Sequence, residues 1–510
     1  MLVKTYGSAV FGIDATTITI EVNIANGVNF VLVGLPDKAV QESHQRIKAA
    51  LKNNDLNYPG KEITINMAPA DIRKEGSNFD LPIAIGILAA SGQVNSTLLS
   101  EFVMLGELSL DGQLQAVKGI LPIVMQAKKE GFRGVILPKG NQEEAAIVEG
   151  IEIYGMDNLA DVIALLEQSR PFSPHTIDLK AFFAQDSLDI ADFRDVKGQA
   201  GIKRAFEIAA AGGHNVILIG PPGAGKSMLA KRLPSILPPM STEEALETTK
   251  IHSVAGKIGS NKGLIVQRPF RKPHHTISDV ALVGGGSYPQ PGEISLAHNG
   301  VLFLDELPEY KRQVLEVMRQ PLEDRTVTVS RARFSVDYPA AFMLVAAMNP
   351  CPCGYYNHPE KECVCAPGTV QRYLNKISGP LLDRIDLHVE VTPVSFNELA
   401  YEQAGEDSTS IRDRVIQARL IQQARYQDSE THCNAQMTRS ELLRHCAISE
   451  EGRTLLKNAM DRLGLSARAY DRILKVARTI ADLDKSEIID LQHLSEAIQL
   501  RSLDRENWAG

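Results

Sequence analysis

The chain has 510 residues, of which 44% are hydrophobic and 23% are charged, and its formal net charge is −8. This composition is ordinary for a globular protein of about three domains, and the acidic balance argues against a polyanion-binding surface over the whole molecule, although local basic patches remain compatible with it. No apolar run of about 18 residues predicts a membrane span, and the N-terminus lacks the pattern of a secretory signal. We therefore expect a cytoplasmic protein with no membrane partner, whose 6 cysteines are not paired in disulfides.

Residues 1–167 mix short strand-like runs with helical patterns. The strand-like runs lie at 18–22 and 63–67, and residues 41–52 have helical spacing, so we predict an α+β domain. Residues 106–112 resemble the strand signature of Lon-type protease domains. The resemblance implies a Lon-like fold for this region.

Lon-type proteases use a serine–lysine dyad, and this sequence does not carry the dyad in register. The resemblance puts the position of the lysine at Leu121 and that of the serine within 79–84, where no serine occurs. Ser77 and Lys118 lie near these positions but out of register. Because acyl transfer needs a nucleophile and a base within hydrogen-bond reach, we expect a domain without peptidase chemistry that serves as a binding or assembly platform.

A linker is predicted over residues 168–190, because Pro171 and Pro174 interrupt helical continuity there. The strands and helices that follow predict an α/β nucleotide-binding core with a parallel sheet over 191–395. The remaining residues, 396–510, have helical spacing, with apolar side chains three and four apart, and predict an all-α C-terminal lid.

The signature of a phosphate-binding loop lies at residues 220–227. An apolar run at 215–219 precedes it and a helical pattern at 228–233 follows it, which is the strand–loop–helix context that such a loop requires. Its glycines allow backbone N–H groups to converge on an anion. Lys226 is predicted to reach the β- and γ-phosphates of ATP, and the Ser227 hydroxyl to hold Mg²⁺. The predicted nucleotide-binding residues are Gly220, Pro221, Pro222, Gly223, Ala224, Gly225, Lys226 and Ser227.

A second nucleotide signature is the apolar strand at 301–304, which ends in Asp305 and Glu306. Asp305 is predicted to support Mg²⁺ through its water shell, and Glu306 to polarise the attacking water as a general base. Together with the phosphate-binding loop, these acids predict phosphoryl transfer to water, in which catalysis comes mostly from positioning and charge stabilisation.

Further segments resemble the AAA+ ATPases. Residues 193–199 resemble the segment that packs on adenine in that superfamily, and residues 292–300 resemble the branch that holds magnesium chelatase motors, MCM helicases and enhancer-binding activators. The resemblance implies that Asn349 is the sensor of the γ-phosphate and the attacking water, that Arg384 is an arginine finger, and that Arg468 is the second sensor in the lid. Because a finger acts on the ATP of a neighbouring subunit, the resemblance also implies a ring, a homo-hexamer.

Two basic segments bear on the substrate of such a ring. Residues 268–275 combine three fixed charges with two imidazoles and an aromatic ring, which suits phosphate contacts and base stacking. Residues 325–336 alternate like a strand pair, and in related motors such hairpins and insertions face the central channel. A solvated basic surface is the alternative for both. The predicted DNA-binding residues are Arg268, Arg271, Lys272, Arg331 and Arg333.

Two cysteine pairs follow soon after Asn349. Cys351 and Cys353 form the first pair, and Cys363 and Cys365 form the second. Four thiolates around one tetrahedral ion suit structural Zn²⁺, although the C-x-C spacing is tighter than is usual and His358 is able to replace one thiol. Four free thiols in a loop are the alternative. Cys433 and Cys446 stand apart and are interpreted as structural thiols.

The order of these regions resembles the ComM/YifB family of competence-related AAA+ proteins over nearly the whole chain. The resemblance implies an ATP-driven hexameric DNA helicase that promotes branch migration on single-stranded and branched DNA. Its biological role would be the integration of incoming DNA by homologous recombination in natural transformation, with recombination proteins as candidate partners. The residues and their spacing alone support a ring-forming Mg-ATPase with a nucleic-acid channel as a hypothesis.

Two other functions stay open at this point. The first is a magnesium chelatase motor subunit, against which the Lon-like region and the cysteine pairs argue, because the resemblance gives neither to chelatase motors. The second is a protein-remodelling AAA+ chaperone that uses the Lon-like domain as a receptor.

Overall fold

The computed structural model describes residues 2–179, 191–258, 263–286, 289–331, 334–356, 358, 360–393 and 405–501. The strands, in chain order, are β1 (Leu2–Phe11), β2 (Asp14–Ala25), β3 (Phe30–Val33), β4 (Glu62–Ala68), β5 (Phe102–Met104), β6 (Glu107–Leu108), β7 (Leu114–Gln115), β8 (Gly134–Pro138), β9 (Glu152–Met156), β10 (Val216–Ile219), β11 (Phe270–Arg271), β12 (Gly284–Gly285), β13 (Gln290–Pro291), β14 (Val301–Leu304), β15 (Thr326–Arg331), β16 (Phe334–Pro339), β17 (Met343–Met348) and β18 (Leu387–Glu390).

The helices, in chain order, are α1 (Lys38–Asn53), α2 (Asp80–Ala90), α3 (Ile120–Lys129), α4 (Gln142–Ala145), α5 (Leu159–Leu166), α6 (Ala200–Gly212), α7 (Lys226–Arg232), α8 (Thr242–Val254), α9 (Asp279–Val283), α10 (Glu293–Leu296), α11 (Arg312–Val317), α12 (Arg319–Asp324), α13 (Thr369–Leu374), α14 (Gly379–Leu382), α15 (Ser408–Arg425), α16 (Arg439–His445), α17 (Glu450–Leu463), α18 (Ala467–Leu483) and α19 (Leu491–Gln499). None of the helices in the described ranges is both long enough and apolar enough to cross a lipid bilayer.

The chain divides into two compact units. The first unit comprises residues 1–185, 242–266 and 289–291, and the second comprises 186–241, 267–288 and 292–510. The predicted ATPase core is continuous from 191 to 395, whereas the observed grouping assigns α8 and the short β13 to the first unit. Of the predicted linker at 168–190, the part after residue 179 lies outside the described residues.

The contacts of α8 within the first unit explain this grouping. Ser253 on α8 donates a hydrogen bond to the buried carboxylate of Glu144, and Lys250 forms an ion pair with Asp14 at 2.7 Å. Burial raises the pKa of Glu144, although the hydrogen bonds from Ser253 and from the backbone N–H of Leu121 oppose that shift.

The first unit is built on a mixed sheet with the strand order β3-β4-β2-β1-β5-β8-β9. β2 pairs antiparallel with both β1 and β4, and the remaining neighbours pair parallel. The predicted strands at 18–22 and 63–67 lie within β2 and β4, and the predicted helix at 41–52 lies within α1, so these predictions are confirmed.

Helix α2 packs against this sheet and is buried along its whole length. Its sequence is apolar on every face, as expected of a helix inside a core. Gly86 allows the close approach, because a Cβ there would lie 2.7 Å from Cγ2 of Val22. At the N-terminus of α2, the buried Asp80 accepts hydrogen bonds from Arg46 at 2.6 and 2.9 Å.

The second unit is built on a parallel sheet with the strand order β11-β14-β17-β10-β18. Because parallel strands end at the same edge, the segments that follow β11, β14, β17 and β10 meet there. Strand β17 lies between β10 and β14, so its C-terminal residue borders the loops that follow both neighbours. This edge holds the sequence signatures of nucleotide binding.

The C-terminal helices share one hydrophobic core with this sheet. The core includes Phe206 of α6, Leu218 of β10, Val345 of β17 and Ile473 of α18, and both α15 and α18 pack against α6. The predicted apolar stripe of the lid is therefore a packing surface, because Ile473, like its neighbours one turn along, is buried.

A buried ion pair also joins α18 to the residue before β18. Arg472 donates to Asp386, whose second oxygen accepts the backbone N–H of Asn215 at 2.8 Å. Although burial acts in the opposite direction, the Arg472 guanidinium and His214 hold the pKa of Asp386 well below its ordinary value. The carboxylate is therefore ionised and fully partnered in a dry environment.

Candidate active site

The phosphate-binding loop joins β10 to α7, as the sequence predicted. Gly223 and Gly225 have φ values of +80° and +85°, which glycine adopts without a steric penalty. Gly220 passes close to the backbone after β18, where an added Cβ would lie 2.3 Å from the carbonyl oxygen of Val391. The glycine pattern therefore follows from both the turn of the loop and its close neighbours.

The Lys226 ammonium group lies inside this loop. Its Nζ donates to the carbonyl oxygens of Gly220 at 2.6 Å and Pro221 at 2.9 Å, and to Oδ1 of Asn349 at 3.0 Å. Burial lowers the pKa of Lys226, while Asp305 and Glu306 oppose that shift. The structure thus brings together the loop lysine and the predicted sensor Asn349, which follows β17.

The two predicted magnesium-binding residues are in direct contact. Ser227 Oγ donates to Oδ2 of Asp305 at 2.7 Å, and the same oxygen accepts Lys272 Nζ at 2.9 Å. Burial raises the pKa of Asp305, but the hydrogen bonds from Ser227 and Lys272 outweigh burial, so its pKa lies below the ordinary value. A hydroxyl and a carboxylate oxygen are ligands of the kind that fit Mg²⁺, which prefers oxygen and keeps several waters.

Glu306, the predicted general base, is the next residue in the chain. Its backbone φ is +53°, a conformation that is uncommon for a side chain other than glycine and that is frequent at functional sites. Its carboxylate is well exposed and lies 3.4 Å from Nδ1 of His275. The role of Glu306 as general base stays a prediction.

Residues 272–275 also belong to this site, although the sequence predicts them only as part of a nucleic-acid contact. Lys272 and His275 contact the acidic pair, and the hydroxyl of Tyr310 donates to the carbonyl oxygen of Pro273 at 2.7 Å. The burial of Tyr310, together with the nearby Asp305 and Glu306, raises its pKa. The available signal was the apolar Phe270 before the segment, because it predicts a strand whose C-terminal end would meet the acids.

Two further residues of this basic segment, Arg268 and Arg271, also have internal partners. Arg268 donates to the carbonyl oxygens of Pro238 and Asn299 at 2.7 and 2.8 Å, and Arg271 makes a bidentate ion pair with Glu293 at 2.6 and 2.7 Å. Their contact with DNA stays a prediction, and these observed contacts give Arg268 and Arg271 a role in holding the segment.

The hairpin predicted at 325–336 forms from β15 and β16, which pair antiparallel from Thr326 with Pro339 to Arg331 with Phe334. Arg331 is therefore the last paired residue of β15. Arg333 lies outside the described residues. DNA contact by these two arginines stays a prediction.

Arg384 lies after α14 and its side chain is only 6% exposed. Its Nη2 pairs with Oε1 of Glu323 at 2.6 Å, and its Nη1 donates to the carbonyl oxygen of Pro380 at 2.6 Å. Both partners belong to the same chain, so the action of Arg384 on a neighbouring subunit stays a prediction. Arg468 is exposed on the first turn of α18, and its role as the second sensor also stays a prediction.

The four predicted zinc ligands form one cluster. The Sγ atoms of Cys351, Cys353, Cys363 and Cys365 all lie within 4.8 Å of one another, and three pairs are 3.3, 3.5 and 3.7 Å apart. Tetrahedral zinc with Zn–S bonds of about 2.3 Å places sulfurs about 3.8 Å apart. The donor set therefore fits Zn²⁺.

The four thiols share their protons unequally, since the neighbouring thiols raise the pKa of Cys365 to about 12 and also raise that of Cys363, whereas the pKa of Cys353 is lowered. Although burial opposes the shift, hydrogen bonds from the backbone N–H of Tyr355 and from the Cys351 thiol lower the pKa of Cys353 to about 6. His358 is not a member of the cluster, since its Nδ1 accepts the backbone N–H groups of Glu360 and Lys361.

The residues near the positions of a Lon-type dyad have different surroundings in the first unit. Ser77 donates to the carboxylate of Glu107, Lys118 is exposed, and the side chain of Leu121 is buried.

Three family models match the chain. They are described as "Subunit ChlI of Mg-chelatase" over residues 20–141, "Magnesium chelatase, subunit ChlI" over 192–399 and "Magnesium chelatase, subunit ChlI C-terminal" over 405–501. With the parallel sheet and the phosphate-binding loop, these matches define the class as an AAA+ ATPase of the magnesium chelatase type, which uses ATP and Mg²⁺. The match at 20–141 also corrects one expectation, because the N-terminal region does not separate this chain from chelatase motors.

Relatives that match over nearly the full length identify a narrower family than the three family models do. The chain is 45% identical over 507 residues to "Competence protein ComM" of Haemophilus influenzae, which is 98% of this chain and 97% of the relative. It is 45% identical over 500 residues to "Uncharacterized protein YifB" of Escherichia coli, which is 98% of this chain and 96% of the relative. The chain belongs to the ComM/YifB family.

The Lon-like region also has a counterpart. The "Archaeal Lon protease" of Methanocaldococcus jannaschii is 25% identical to this chain over 176 residues, which are 32% of this chain and 27% of that protein. The predicted fold class is thereby confirmed: a Lon-like N-terminal region, a parallel α/β ATPase core and a helical C-terminal region.

Proposed function

We propose that the protein is an ATP-driven hexameric DNA helicase that promotes branch migration while incoming DNA is integrated in natural transformation. The observation that carries the proposal is the contact of Lys226 with Asn349 and of Ser227 with Asp305 at one edge of the sheet, in a chain with 45% identity to a protein named for competence. The side-chain contacts support a nucleotide-driven motor, and the identity to a competence protein supports DNA uptake as the setting of that motor.

In the proposed hydrolysis cycle, the loop N–H groups and Lys226 bind the phosphates of ATP. Ser227 and Asp305 would hold Mg²⁺, which neutralises charge on the phosphates. Glu306 accepts a proton from the attacking water, and the Asn349 amide orients that water. Arg384 of one subunit completes the site of its neighbour, so that hydrolysis depends on the ring.

The proposed DNA contact is the hairpin of β15 and β16. Arg331 is the last residue of β15 that pairs with β16, and Arg333 follows two residues later in the same basic stretch of sequence. The segment 268–272 is a weaker candidate than the hairpin, because Arg271 and Lys272 pair with Glu293 and Asp305.

Zn²⁺ bound by Cys351, Cys353, Cys363 and Cys365 is part of the proposal, with a structural role. The support is the proximity of the four Sγ atoms, within 4.8 Å of one another. Elemental analysis of protein purified after metal-replete expression tests it, and a zinc content near zero would contradict it.

The central experiment is an unwinding assay on forked and three-stranded DNA with and without ATP. We expect strand displacement with ATP and none with the Lys226→Ala variant, which loses the main cation for the phosphates. Binding to single-stranded DNA is measured in parallel over a salt series. In a plot of log K against the logarithm of the salt concentration, each phosphate contact contributes about −0.7 to the slope. Arg331→Ala with Arg333→Ala should flatten that slope, and an unchanged slope with unchanged DNA-stimulated ATPase would refute the hairpin contact.

A magnesium chelatase motor is a second candidate, because each of the three matching family models is described by the ChlI subunit. A motor of that kind should hydrolyse ATP at a rate that DNA does not change, and should bind little DNA at moderate salt. A protein-remodelling chaperone predicts the same indifference to DNA together with stimulation by unfolded protein.

A further inference from the structure

One short segment touches both the nucleotide site and the thiol cluster. It begins at Asn349, whose side chain accepts a hydrogen bond from Lys226 at 3.0 Å. Cys351 follows and is fully buried, and its carbonyl oxygen accepts the backbone N–H of Gly354 at 3.0 Å. Cys351 and Cys353 therefore lie in a turn that begins beside the loop lysine.

The other end of this turn packs directly on the phosphate-binding loop. A Cβ added to Gly354 would lie 2.4 Å from Cδ and 2.7 Å from Cγ of Pro222. Real Cβ atoms do not approach carbon so closely, so the backbone of Gly354 occupies the space next to the loop. The loop is thus contacted by this segment at both Lys226 and Pro222.

The turn itself is held by the second cysteine pair. Sγ of Cys363 lies 3.7 Å from Sγ of Cys351 and 3.5 Å from Sγ of Cys353. A tetrahedral ion would fix these distances through four bonds. Without the ion, the contacts that join the turn to the segment that carries Cys363 are weaker ones, such as those between the thiols and that of Lys361 with the Tyr355 ring at 5.0 Å.

We propose that a metal ion bound by the four thiolates holds this turn against Pro222, so that metal occupancy sets the affinity of the phosphate-binding loop for nucleotide. This inference rests on the zinc site proposed above and concerns regulation of the proposed nucleotide site. Zinc is then more than a brace for a peripheral loop, because its removal changes a binding constant at a site that contains no cysteine.

The first test removes the metal through the cysteine pair that is distant from the loop. The double variant Cys363→Ser with Cys365→Ser leaves Cys351, Cys353 and Gly354 in place. Zinc content is measured by elemental analysis, and the dissociation constant for a fluorescent ADP analogue by titration. We expect loss of zinc and a nucleotide affinity at least about tenfold weaker. Retained zinc, or loss of zinc with unchanged affinity, overturns the inference.

Wild-type protein provides the same test without a substitution. A strong chelator removes zinc, nucleotide affinity is measured, and zinc is added back. Affinity should fall and then recover, which separates a local effect from irreversible unfolding. Chelated protein that binds the ADP analogue as tightly as untreated protein contradicts the inference, whatever the behaviour of the serine variant.

The contact with Pro222 has a matched pair of variants. Gly354 and Gly368 both have positive φ, +84° and +75°, but nothing lies within 4 Å of a Cβ added to Gly368. The strain of an alanine is therefore similar, and only Gly354→Ala displaces the loop. We expect Gly354→Ala to keep its zinc and lose up to about 10²-fold in nucleotide affinity, and Gly368→Ala to bind as wild type does. Equal losses in both variants overturn the proposed contact.

Failure of this inference is distinguishable from failure of the proposed function. If wild-type protein with full zinc occupancy binds no nucleotide, the proposed ATPase function is wrong. If it binds nucleotide equally well with and without zinc, the ATPase stands and only the coupling fails. DNA unwinding enters neither measurement.

Discussion

The Arg384→Ala variant tests whether the active site is shared between subunits. The side chain is buried and bonds to Glu323 and to the carbonyl oxygen of Pro380. Without the Arg384 guanidinium, the Glu323 carboxylate, which is 45% exposed, is free to be hydrated. Loss of the ion pair therefore lowers the free energy of unfolding by about 1 kcal/mol or less. The lost hydrogen bond to Pro380 adds about 1 kcal/mol. The variant should therefore fold.

The effect of this substitution on turnover should be far larger. An arginine that stabilises the transition state of phosphoryl transfer in trans is worth about 10³–10⁵ in rate, so ATP hydrolysis should fall by that factor while nucleotide affinity stays within a few-fold of wild type. The measurements are steady-state ATPase, titration with an ADP analogue and thermal melting. Arg319→Ala is the control, because Arg319 forms an ion pair of the same length, 2.6 Å, with the partly exposed Glu316, and its loss should leave turnover unchanged.

Mixing variants gives the decisive result. Arg384→Ala keeps its loop lysine and Lys226→Ala keeps its finger, so about a quarter of the interfaces in a randomly mixed ring would be intact. We expect activity to reappear in the mixture. Arg384→Ala protein that turns over ATP at the wild-type rate would refute the role of this arginine, and so would a mixed ring without activity.

Three further predictions concern single side chains. Glu306→Gln should bind ATP but hydrolyse it very slowly, because an amide cannot accept the proton of the attacking water; single-turnover kinetics measure this. Arg472→Ala should destabilise the protein by about 3–5 kcal/mol in denaturant titration, since it leaves the buried Asp386 carboxylate without its cation. Glu441 has a pKa of about 2, because hydrogen bonds from Ser429 and Thr438 outweigh burial. Its stabilising contribution should be present above pH 4.5 and lost as the pH falls towards 2, and Glu441→Gln should remove that pH dependence.

Local patterns were enough to predict the nucleotide loop and its flanking elements. The apolar run before Gly220 and the helical spacing after Lys226 correspond to β10 and α7, because strand and helix periodicity and glycine geometry are properties of adjacent residues. The cluster of Cys351 to Cys365 was predictable for a related reason, since all its members lie within one short segment.

Contacts between segments distant in sequence were not predictable in this way. Lys272 lies in a basic and aromatic segment whose composition predicts a nucleic-acid contact. Its ammonium group nevertheless pairs with Asp305, because β11 lies beside β14 in the sheet. Likewise, nothing in the spacing of residues 242–254 indicates that Ser253 on α8 bonds to Glu144 of the first unit. Charge and periodicity show that a side chain needs a partner, whereas sheet order decides which partner it has.

Arg472→Ala also has a pH signature that separates its mechanism from a general packing defect. In the folded wild type the pKa of Asp386 lies well below its ordinary value of 3.8. The carboxylate therefore contributes stability that is fully present above pH 3.8 and decreases as the pH falls towards the folded-state pKa. Without Arg472 this pKa must rise, because burial then acts with less opposition. The stability difference between wild type and variant should be greatest near neutral pH and should narrow as the medium becomes acidic. A difference that is constant between pH 7 and pH 3 would mean that Arg472 acts through its packing, and that its charge does not hold α18 to the residue before β18.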